Sequence, residues 1–368
     1  MRLAASALSV LILVACAGPP QGVSRSNSGA TPSASPSPYA PEPSSSPTLA
    51  GDLPVTPLDF SCRLPVVTSN PEMPPALQGG FITFPAGQLA DDPNGKMVVR
   101  GNGFATTAAP VLSGDGGGFY DRAAQRWVPV SPAATAADGS AYAYVTYDGS
   151  PVAQIVDVTS GKVRSFQLPP LDRPAVVDFG TRGVYLYSPS AIGGPGEGVW
   201  LLNPTTGSVT QAAAVHRVWA VRDGKAWVAR FDPRDTTKWG PREIPPANSL
   251  AQVDLATGAE TQWFYRAGAY PWMAGLASGR PLITIGSASG RSEVRLIDLP
   301  GSDGKLIYSG SLVFDGFFQH YQGDGDRIWL GGEGGIYLFR PDRGLQRVFP
   351  YDAKSGSGRD IHPGGLCV

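Results

Sequence analysis

The chain has 368 residues, a formal net charge of −1 and 16% charged residues. This weak, balanced charge gives no electrostatic basis for binding nucleic acid, so we expect no nucleic-acid partner. The 47 glycines and 36 prolines, with 8 tryptophans and 13 tyrosines, favour many short strands joined by tight turns. We find no amphipathic stretch longer than two helical turns, so the sequence predicts an all-β protein.

Residues 1–15 have the pattern of a signal peptide. Arg2 precedes an apolar run that is shorter than the roughly 20 residues needed by a membrane-spanning helix. The run ends in Leu13-Val14-Ala15-Cys16, which resembles the lipobox of bacterial lipoproteins. The resemblance implies cleavage before Cys16, lipidation of Cys16 with acyl chains such as palmitate, and an anchor on the extracytoplasmic side of a bacterial cell membrane. An ordinary secretory signal with an incidental cysteine is the alternative.

Residues 16–58 are predicted to be the lipidated cysteine and a disordered tether. From Ala17 to about Thr56 the chain is mostly Pro, Ser, Ala and Gly. Such a segment cannot bury enough apolar area to offset the entropy of ordering it, and its prolines keep it extended. The folded domain is therefore expected over residues 59–368.

One hairpin theme recurs along this domain at intervals of about forty to fifty residues, a period typical of propellers. Each copy is an apolar strand, a turn with Thr-Gly or Asp-Gly, and a second strand. The copies are Val156–Val163, Leu202–Val209, Val253–Glu260, Ile297–Gly304 and Leu338–Gly344, with Tyr120–Trp127 as the first and most degenerate one. The residue before each turn can bond backbone groups of the loop, and glycine accepts a positive φ.

A second hairpin lies between the copies. Its turns are predicted at Asn94-Gly95, Asp138-Gly139, Arg182-Gly183, Asp223-Gly224, Ser278-Gly279 and Asp324-Gly325. Two hairpins per unit make four strands, and four-stranded units at this period predict a β-propeller of six blades. Seven blades, or a tandem of immunoglobulin-like domains, are the alternatives.

Two short motifs resemble known propeller classes of bacterial surface proteins. Ser131-Pro132, Asp138–Ser140 and Tyr142–Tyr144 are similar to the theme of WD40-like propellers. Asp326–Gly332 with Gly335–Tyr337 is similar to regulator-type propellers. The Trp-Asp and Gly-His pairs of true WD40 repeats are absent. The resemblance implies a fold and does not imply a ligand.

The cysteines predict a clasp between the two ends of the domain. Cys16 is accounted for by lipid, which leaves Cys62 near the start of the domain and Cys367 one residue from its end. In an oxidising compartment such a pair favours a disulfide, which would hold the first and last blades together. Two free thiols are the alternative.

His216 and His320 each fall just before or within the predicted innermost strand of a blade, on one rim of the channel. With Asp232 or Glu333 they could bind a metal, and a resemblance to propeller lactonases and lyases raises that possibility. Because no ligand spacing supports a metal, we expect hydrogen-bonded rim residues instead, with no metal and no cofactor.

A long connection on the same rim predicts a binding surface. Phe231–Glu243, between the second and third strands of the fourth unit, contains Trp239 and Arg242, and these residue types dominate binding hot spots. A surface insertion without a partner is the alternative. The predicted binding rim consists of His216, Arg217, Trp239, Arg242 and His320.

Together these features predict a surface-anchored propeller lipoprotein that acts as a binding or interaction module. Its expected partners are the membrane, through the lipid, and a protein or cell-envelope ligand at the rim. The alternatives are an extracytoplasmic lactonase-like or lyase-like enzyme with a metal at the channel mouth, and a structural component of an envelope complex. No catalytic residue can be assigned from the sequence.

Overall fold

The computed structural model describes residues 53–70, 76–98, 118–147, 149–189, 196–236, 247–286, 292–310, 322–332, 334–351 and 361–368. The predicted signal peptide, Cys16 and residues 17–52 of the tether lie outside these ranges. Trp239, Arg242, His320 and Glu333 also lie outside them. Within the described ranges, no helix is long and apolar enough to cross a membrane.

The described residues form 25 strands and one short 3-10 helix at Pro132–Ala134. The strands of the first half are β1 (Cys62–Asn70), β2 (Ala76–Phe84), β3 (Gln88–Val98), β4 (Phe119–Asp121), β5 (Arg126–Val128), β6 (Ala141–Thr146), β7 (Val152–Asp157), β8 (Val163–Gln167), β9 (Ala175–Gly180), β10 (Gly183–Ser188), β11 (Gly198–Leu202) and β12 (Val209–Ala213). The strands of the second half are β13 (Val218–Arg222), β14 (Lys225–Arg230), β15 (Ser249–Asp254), β16 (Glu260–Tyr265), β17 (Tyr270–Ala277), β18 (Arg280–Gly286), β19 (Ser292–Leu296), β20 (Lys305–Gly310), β21 (Gln322–Asp324), β22 (Arg327–Gly332), β23 (Gly335–Arg340), β24 (Gly344–Pro350) and β25 (Ile361–Pro363).

The strands make a six-bladed all-β propeller, which confirms the predicted fold. The third to sixth blades are four-stranded antiparallel sheets of consecutive strands, from β9–β12 to β21–β24. In the second blade β6, β7 and β8 pair, and the first, innermost strand is reduced to a single bridge from Thr135 to Tyr142. The first blade has the order β25-β1-β2-β3, so its first strand comes from the C-terminal end of the chain.

The turns between the third and fourth strands follow one local pattern, as the sequence predicts. Oδ1 of Asp157 accepts a hydrogen bond from the Ser160 amide at 2.7 Å, and Oδ1 of Asn203 accepts one from the Thr205 amide at 2.8 Å. Oδ1 of Asp254 accepts a bond from the Thr257 amide at 2.9 Å. Each turn then closes on a glycine with positive φ. These contacts lie within a few residues of one another, which is why the sequence reveals them.

The predicted hairpin turn at Asn94-Gly95 is wrong. Both residues lie inside β3, where the pairing with β2 shifts between Gln78 and Gly80. Gly95 lies directly against Gly79 of β2, and a Cβ on Gly95 would be 2.5 Å from the Gly79 carbonyl oxygen. Close approach of two strands, and not a turn, requires the glycine here.

The Tyr120–Trp127 hairpin exists as β4 and β5, but it is not the outer hairpin of a blade. It forms a separate two-stranded sheet. The rings of Tyr120 and Trp127 pack on Phe81 of β2, with centroids 5.2 and 5.8 Å away, and the Trp127 indole N–H donates to Asp92 at 2.9 Å. These aromatic side chains hold the hairpin against the first blade.

The ring is closed by strand pairing and by a disulfide. β25 pairs antiparallel with β1, and farther along Arg63 and Val368 exchange backbone hydrogen bonds of 3.3 and 3.1 Å. Cys62 and Cys367 are bonded across 305 residues, which confirms the predicted clasp. Contacts with the ring begin before residue 59, because Val55 bridges to Arg347 and Leu58 is buried.

The first strands of the blades line the channel. β9 contacts β13, and β17 contacts β21, which shows that first strands of neighbouring blades lie closest together. Three of them carry one-residue bulges opposite their second strands. The bulged residues are Val177 in β9, Trp219 in β13 and Ala274 in β17. A bulge twists its strand locally and redirects the side chain it carries.

Candidate binding site at the channel mouth

The strand order of the blades defines two rims of the propeller, one at each end of the channel. Each blade's first strand begins on one side of the ring, and the connection from the second to the third strand lies on that same side because neighbouring strands are antiparallel. We call this side the front rim; its described residues near the third to fifth blades are 196–197, 214–217, 231–236, 247–248 and 266–269. The back rim carries the other turns.

His216 lies on the front rim, in the loop between β12 and β13, and its ring is held by a carboxylate. Oε1 of Glu197 lies 2.6 Å from Nδ1 of His216. The Glu197 side chain is 6% exposed, whereas the His216 side chain is 45% exposed. Because Nδ1 is buried against Glu197, Nε2 is the ring nitrogen left for a ligand. Gln211 fixes the segment by donating to the Glu197 carbonyl at 2.8 Å.

Arg217, the next residue, is held in a left-handed conformation with φ of 52°. Its amide donates to the hydroxyl of Tyr187 in the third blade at 2.9 Å. Burial raises the pKa of Tyr187, so this hydroxyl stays neutral. On the other side, Arg230 of the fourth blade donates to the His216 carbonyl at 3.1 Å. Neighbours in two blades thus hold a backbone conformation that is unfavourable for arginine.

The guanidinium of Arg217 has no hydrogen bond or ion pair with any other residue that the structure describes. Other arginines nearby are paired; Arg230, for example, bonds Glu260 at 3.0 Å. Within the described part of the chain, the front rim therefore presents a positive charge without a paired anion. Such a charge is available for a ligand anion.

Two tryptophans stand at the start of the innermost strands of the fourth and fifth blades. The ring centroids of Trp219 in β13 and Trp272 in β17 are 4.9 Å apart, with the rings inclined by 56°. Trp219 is the bulged residue of its strand and packs beside the buried cluster between these blades. Trp272 remains 39% exposed. We call the surface of Trp219, Trp272, His216 and Arg217 the channel mouth.

Asp232, one of the residues considered for a metal, is engaged by other side chains. Its carboxylate accepts hydrogen bonds from Arg234 at 2.6 Å and from Gln262 at 2.8 Å. These bonds, with that of Arg234 foremost, hold the pKa of Asp232 well below its usual range. Arg234 also lies over the ring of Tyr265, 4.1 Å from its centroid. The carboxylate thus orders the base of the predicted binding loop.

A second group of bonds secures the same loop base. Asn248 accepts a bond from the Asp232 amide at 2.7 Å and donates to Oδ2 of Asp235 at 3.1 Å. The same Oδ2 accepts a bond from the Gly268 amide at 2.9 Å. The described start of the predicted binding loop, residues 231–236, is therefore hydrogen-bonded to Asn248 of its own blade and to the segment before β17.

Of the predicted rim, the structure places His216 and Arg217 together at the channel mouth. Trp239, Arg242 and His320 lie outside the described residues, so their part in the rim stays a prediction. In the described ranges, no group of three or more His, Cys, Asp or Glu side chains could hold a metal ion. Sequence reasoning missed Glu197, Trp219 and Trp272.

Comparison with known proteins supports no assignment finer than the fold. No protein-family model matches the sequence, and no curated protein matches it. The chain is a six-bladed β-propeller. It is 12% identical to TolB from Acinetobacter baumannii, over 84% of this chain and 67% of that one, with a TM-score of 0.38.

Two other solved structures are similar at the same low level. An uncharacterised protein from Listeria monocytogenes is 7% identical over 82% of this chain and 87% of that one, with a TM-score of 0.41. An oligogalacturonate lyase in complex with manganese is 12% identical over 75% of this chain and 74% of that one, with a TM-score of 0.40. At these values no residue or activity is transferred to this propeller.

Proposed function

We propose that the chain is a bacterial lipoprotein whose propeller binds a ligand at the front rim. In this proposal lipid on Cys16 anchors the protein on the extracytoplasmic side of the cell membrane, and residues 17–52 serve as the spacer, because contacts with the ring begin by Val55. The lipobox-like sequence supports the anchor. The bond between Cys62 and Cys367 supports an oxidising compartment, because such bonds persist there.

One observation carries the binding role: an exposed aromatic ring, a cation without a partner among the described residues and an imidazole beside a carboxylate all lie on the front rim. Trp272 is 39% exposed, and the Arg217 side chain has no partner in the described part of the chain. Part of the Trp272 residue stays in contact with water although its ring packs on Trp219, and the Arg217 backbone is held at a positive φ that is unfavourable for arginine. Exposed aromatic and arginine side chains are the types on which binding energy concentrates.

Site-specific cross-linking in cells tests this role. A photoreactive residue at position 272 reports on the channel mouth, and one at position 299 is the control, because Leu299 on the back rim is 67% exposed. We expect a discrete adduct with an envelope component from position 272 and none from position 299. Adducts from position 299 alone, or equally from both positions, would place the binding surface elsewhere.

The pair of His216 and Glu197 favours a catalytic role as the second candidate function. A partly exposed imidazole oriented by a buried carboxylate is the arrangement that general-base catalysis requires. The metal-assisted form of this candidate is tested by the metal content of the purified chain with Cys16→Ser. Stoichiometric zinc, calcium or manganese would favour the enzyme, and its absence would leave only a metal-free reaction.

A further inference from the structure

The channel mouth combines an apolar aromatic surface with a positive charge. The inclined rings of Trp219 and Trp272 form an angled aromatic wall on the innermost strands, and part of the Trp272 ring remains open to water. Such a wall binds a partner that presents a flat, weakly polar face, because ring contacts depend on area and shape. It does not by itself favour a charged ligand.

The charge at the mouth favours an anion. Arg217 supplies a guanidinium with no partner among the described residues. The nearby acidic side chain, Glu197, is buried, and its Oε1 lies against Nδ1 of His216. A guanidinium binds a carboxylate through two parallel hydrogen bonds, and the exposed His216 ring offers a further polar contact.

The strand edges at the mouth do not suit a peptide strand. A peptide that adds to a sheet needs a regular row of backbone donors and acceptors along the exposed edge. β13 is bulged at Trp219 and β17 is bulged at Ala274, beside the aromatic wall. A bulge disrupts the regular row and twists the edge, so side chains and not backbone groups are left to recognise the ligand.

We propose that the channel mouth binds a carboxylated saccharide, with the apolar face of a sugar ring on Trp272 and Trp219 and its carboxylate on Arg217. This proposal rests on the proposed binding role and names its ligand class. A pyranose with a carboxylate presents both features at once: a flat C–H face and, at its edge, an anion with hydroxyl groups. His216 Nε2 is placed to bond a hydroxyl or carboxylate oxygen.

The test uses defined sugars and the full chain with Cys16→Ser. A β-1,4-linked glucuronic acid tetrasaccharide is the probe, cellotetraose is its neutral counterpart, and tetraglutamate carries the charges without sugar rings. Calorimetry should show saturable binding of the uronate, at least about tenfold weaker binding of cellotetraose, and no binding of tetraglutamate. Equal affinity for the two sugars, or preference for tetraglutamate, would overturn the proposal.

Variants connect the binding to the named side chains. Trp272→Ala should weaken binding of both sugars, whereas Arg217→Gly, which also relaxes the positive φ, should remove the preference for uronate over cellotetraose. Arg217→Lys should retain part of that preference, because the charge remains and the paired hydrogen bonds are lost. Arg222→Ala, at the other end of β13, is the matched control and should bind like the parent. Uronate binding that survives Trp272→Ala and Arg217→Gly would refute the site.

The cross-linking and calorimetry experiments together distinguish a wrong ligand class from a wrong binding role. If cross-links form from position 272 and the uronate does not bind, the mouth binds something other than a carboxylated saccharide. If neither cross-links nor sugar binding occur, the proposed function fails as well.

Discussion

Nδ1 of His216 faces Oε1 of Glu197 at 2.6 Å, and this pair joins the front rims of the third and fourth blades. A carboxylate oxygen can only accept a hydrogen bond, so a bond between these two atoms requires a hydrogen on Nδ1. A neutral imidazole with its hydrogen on Nδ1 has its lone pair on Nε2. This is the atom that both the binding role and the catalytic alternative use.

We predict that the neutral form of His216 is the Nδ1–H tautomer, and that Glu197→Ala abolishes this preference. Nitrogen-15 NMR of the imidazole rings measures the tautomer directly. The chain has three histidines, so His362→Gln and His320→Gln serve as controls that assign the signals. A neutral His216 with its hydrogen on Nε2 in the parent protein would contradict the geometry.

A buried carboxyl in β9 predicts a pH dependence of stability. Asp178 is 5% exposed and lies opposite Tyr185 of β10. Burial raises its pKa to about 6; Arg222 opposes this rise and Asp223 adds to it. The folded state therefore holds a proton that the unfolded chain releases near its ordinary pKa of 3.8. The stability that this proton contributes is complete below that value and is lost as pH rises to about 6.

We predict that Asp178→Asn becomes more stable relative to the parent when the pH is raised from 4 to 7.5, by on the order of 2–3 kcal/mol. Chemical denaturation at the two pH values measures the difference. Asp138→Asn is the control, because hydrogen bonds from Ser140 lower the pKa of Asp138 and its contribution has the opposite sign. A pH-independent difference between parent and Asp178→Asn would show that Asp178 titrates normally.

We predict that removing the disulfide between Cys62 and Cys367 lowers the stability of the propeller but leaves its fold intact. Cys62→Ser or Cys367→Ser should lower the free energy of unfolding by a few kcal/mol, with an upper value of about 5 kcal/mol for so long a loop. The β-rich circular dichroism should persist, because β25 still pairs with β1. The double variant should match either single one, since each removes the same bond. Two titratable thiols in the denatured, unreduced parent would show that the bond is absent.

The anchor prediction concerns one residue. Cys16→Ser should move the protein from the membrane fraction to the soluble fraction, because the lipid chains supply the apolar area that holds it. Ser61→Ala, far from the lipobox in the sequence, is the control that should stay in the membrane fraction. Persistence of Cys16→Ser in the membrane fraction would refute the lipoprotein assignment.

Local features of the fold could be predicted from the sequence. The turns at Asp157, Asn203 and Asp254 depend on side chains that bond amides two or three residues away, so their spacing is visible in the sequence. Five of the six predicted copies, from Val156–Val163 onward, are outer hairpins of blades, whereas the blade of β25 and β1–β3 is not marked by the repeat. The bond between Cys62 and Cys367 could be predicted because few cysteines were available for pairing.

Non-local features could not be predicted. The first blade takes β25 from the other end of the chain, so the repeat offers no sign of its composition. Asn94-Gly95 has the composition of a turn, and only the approach of Gly79 explains the glycine. Trp219 and Trp272 lie in separate blades, and their contact depends on a bulge that no residue pattern marks. The contact between Glu197 and His216 could not be predicted either, because the two residues are separated by two strands in the sequence and no motif links them.

The central claim is that the front rim, through the channel mouth, is the binding surface. Its most direct test is co-sedimentation of the Cys16→Ser chain with isolated cell envelopes, compared with the same chain carrying Trp272→Ala and Arg217→Gly. We expect saturable binding for the first and roughly tenfold weaker binding for the second, with equal melting temperatures, because truncated aromatic and arginine anchors typically cost more than about 2 kcal/mol. Leu299→Ala on the back rim should bind like the parent. Unchanged affinity of the Trp272 and Arg217 variant, or a loss of binding with Leu299→Ala, would contradict the claim.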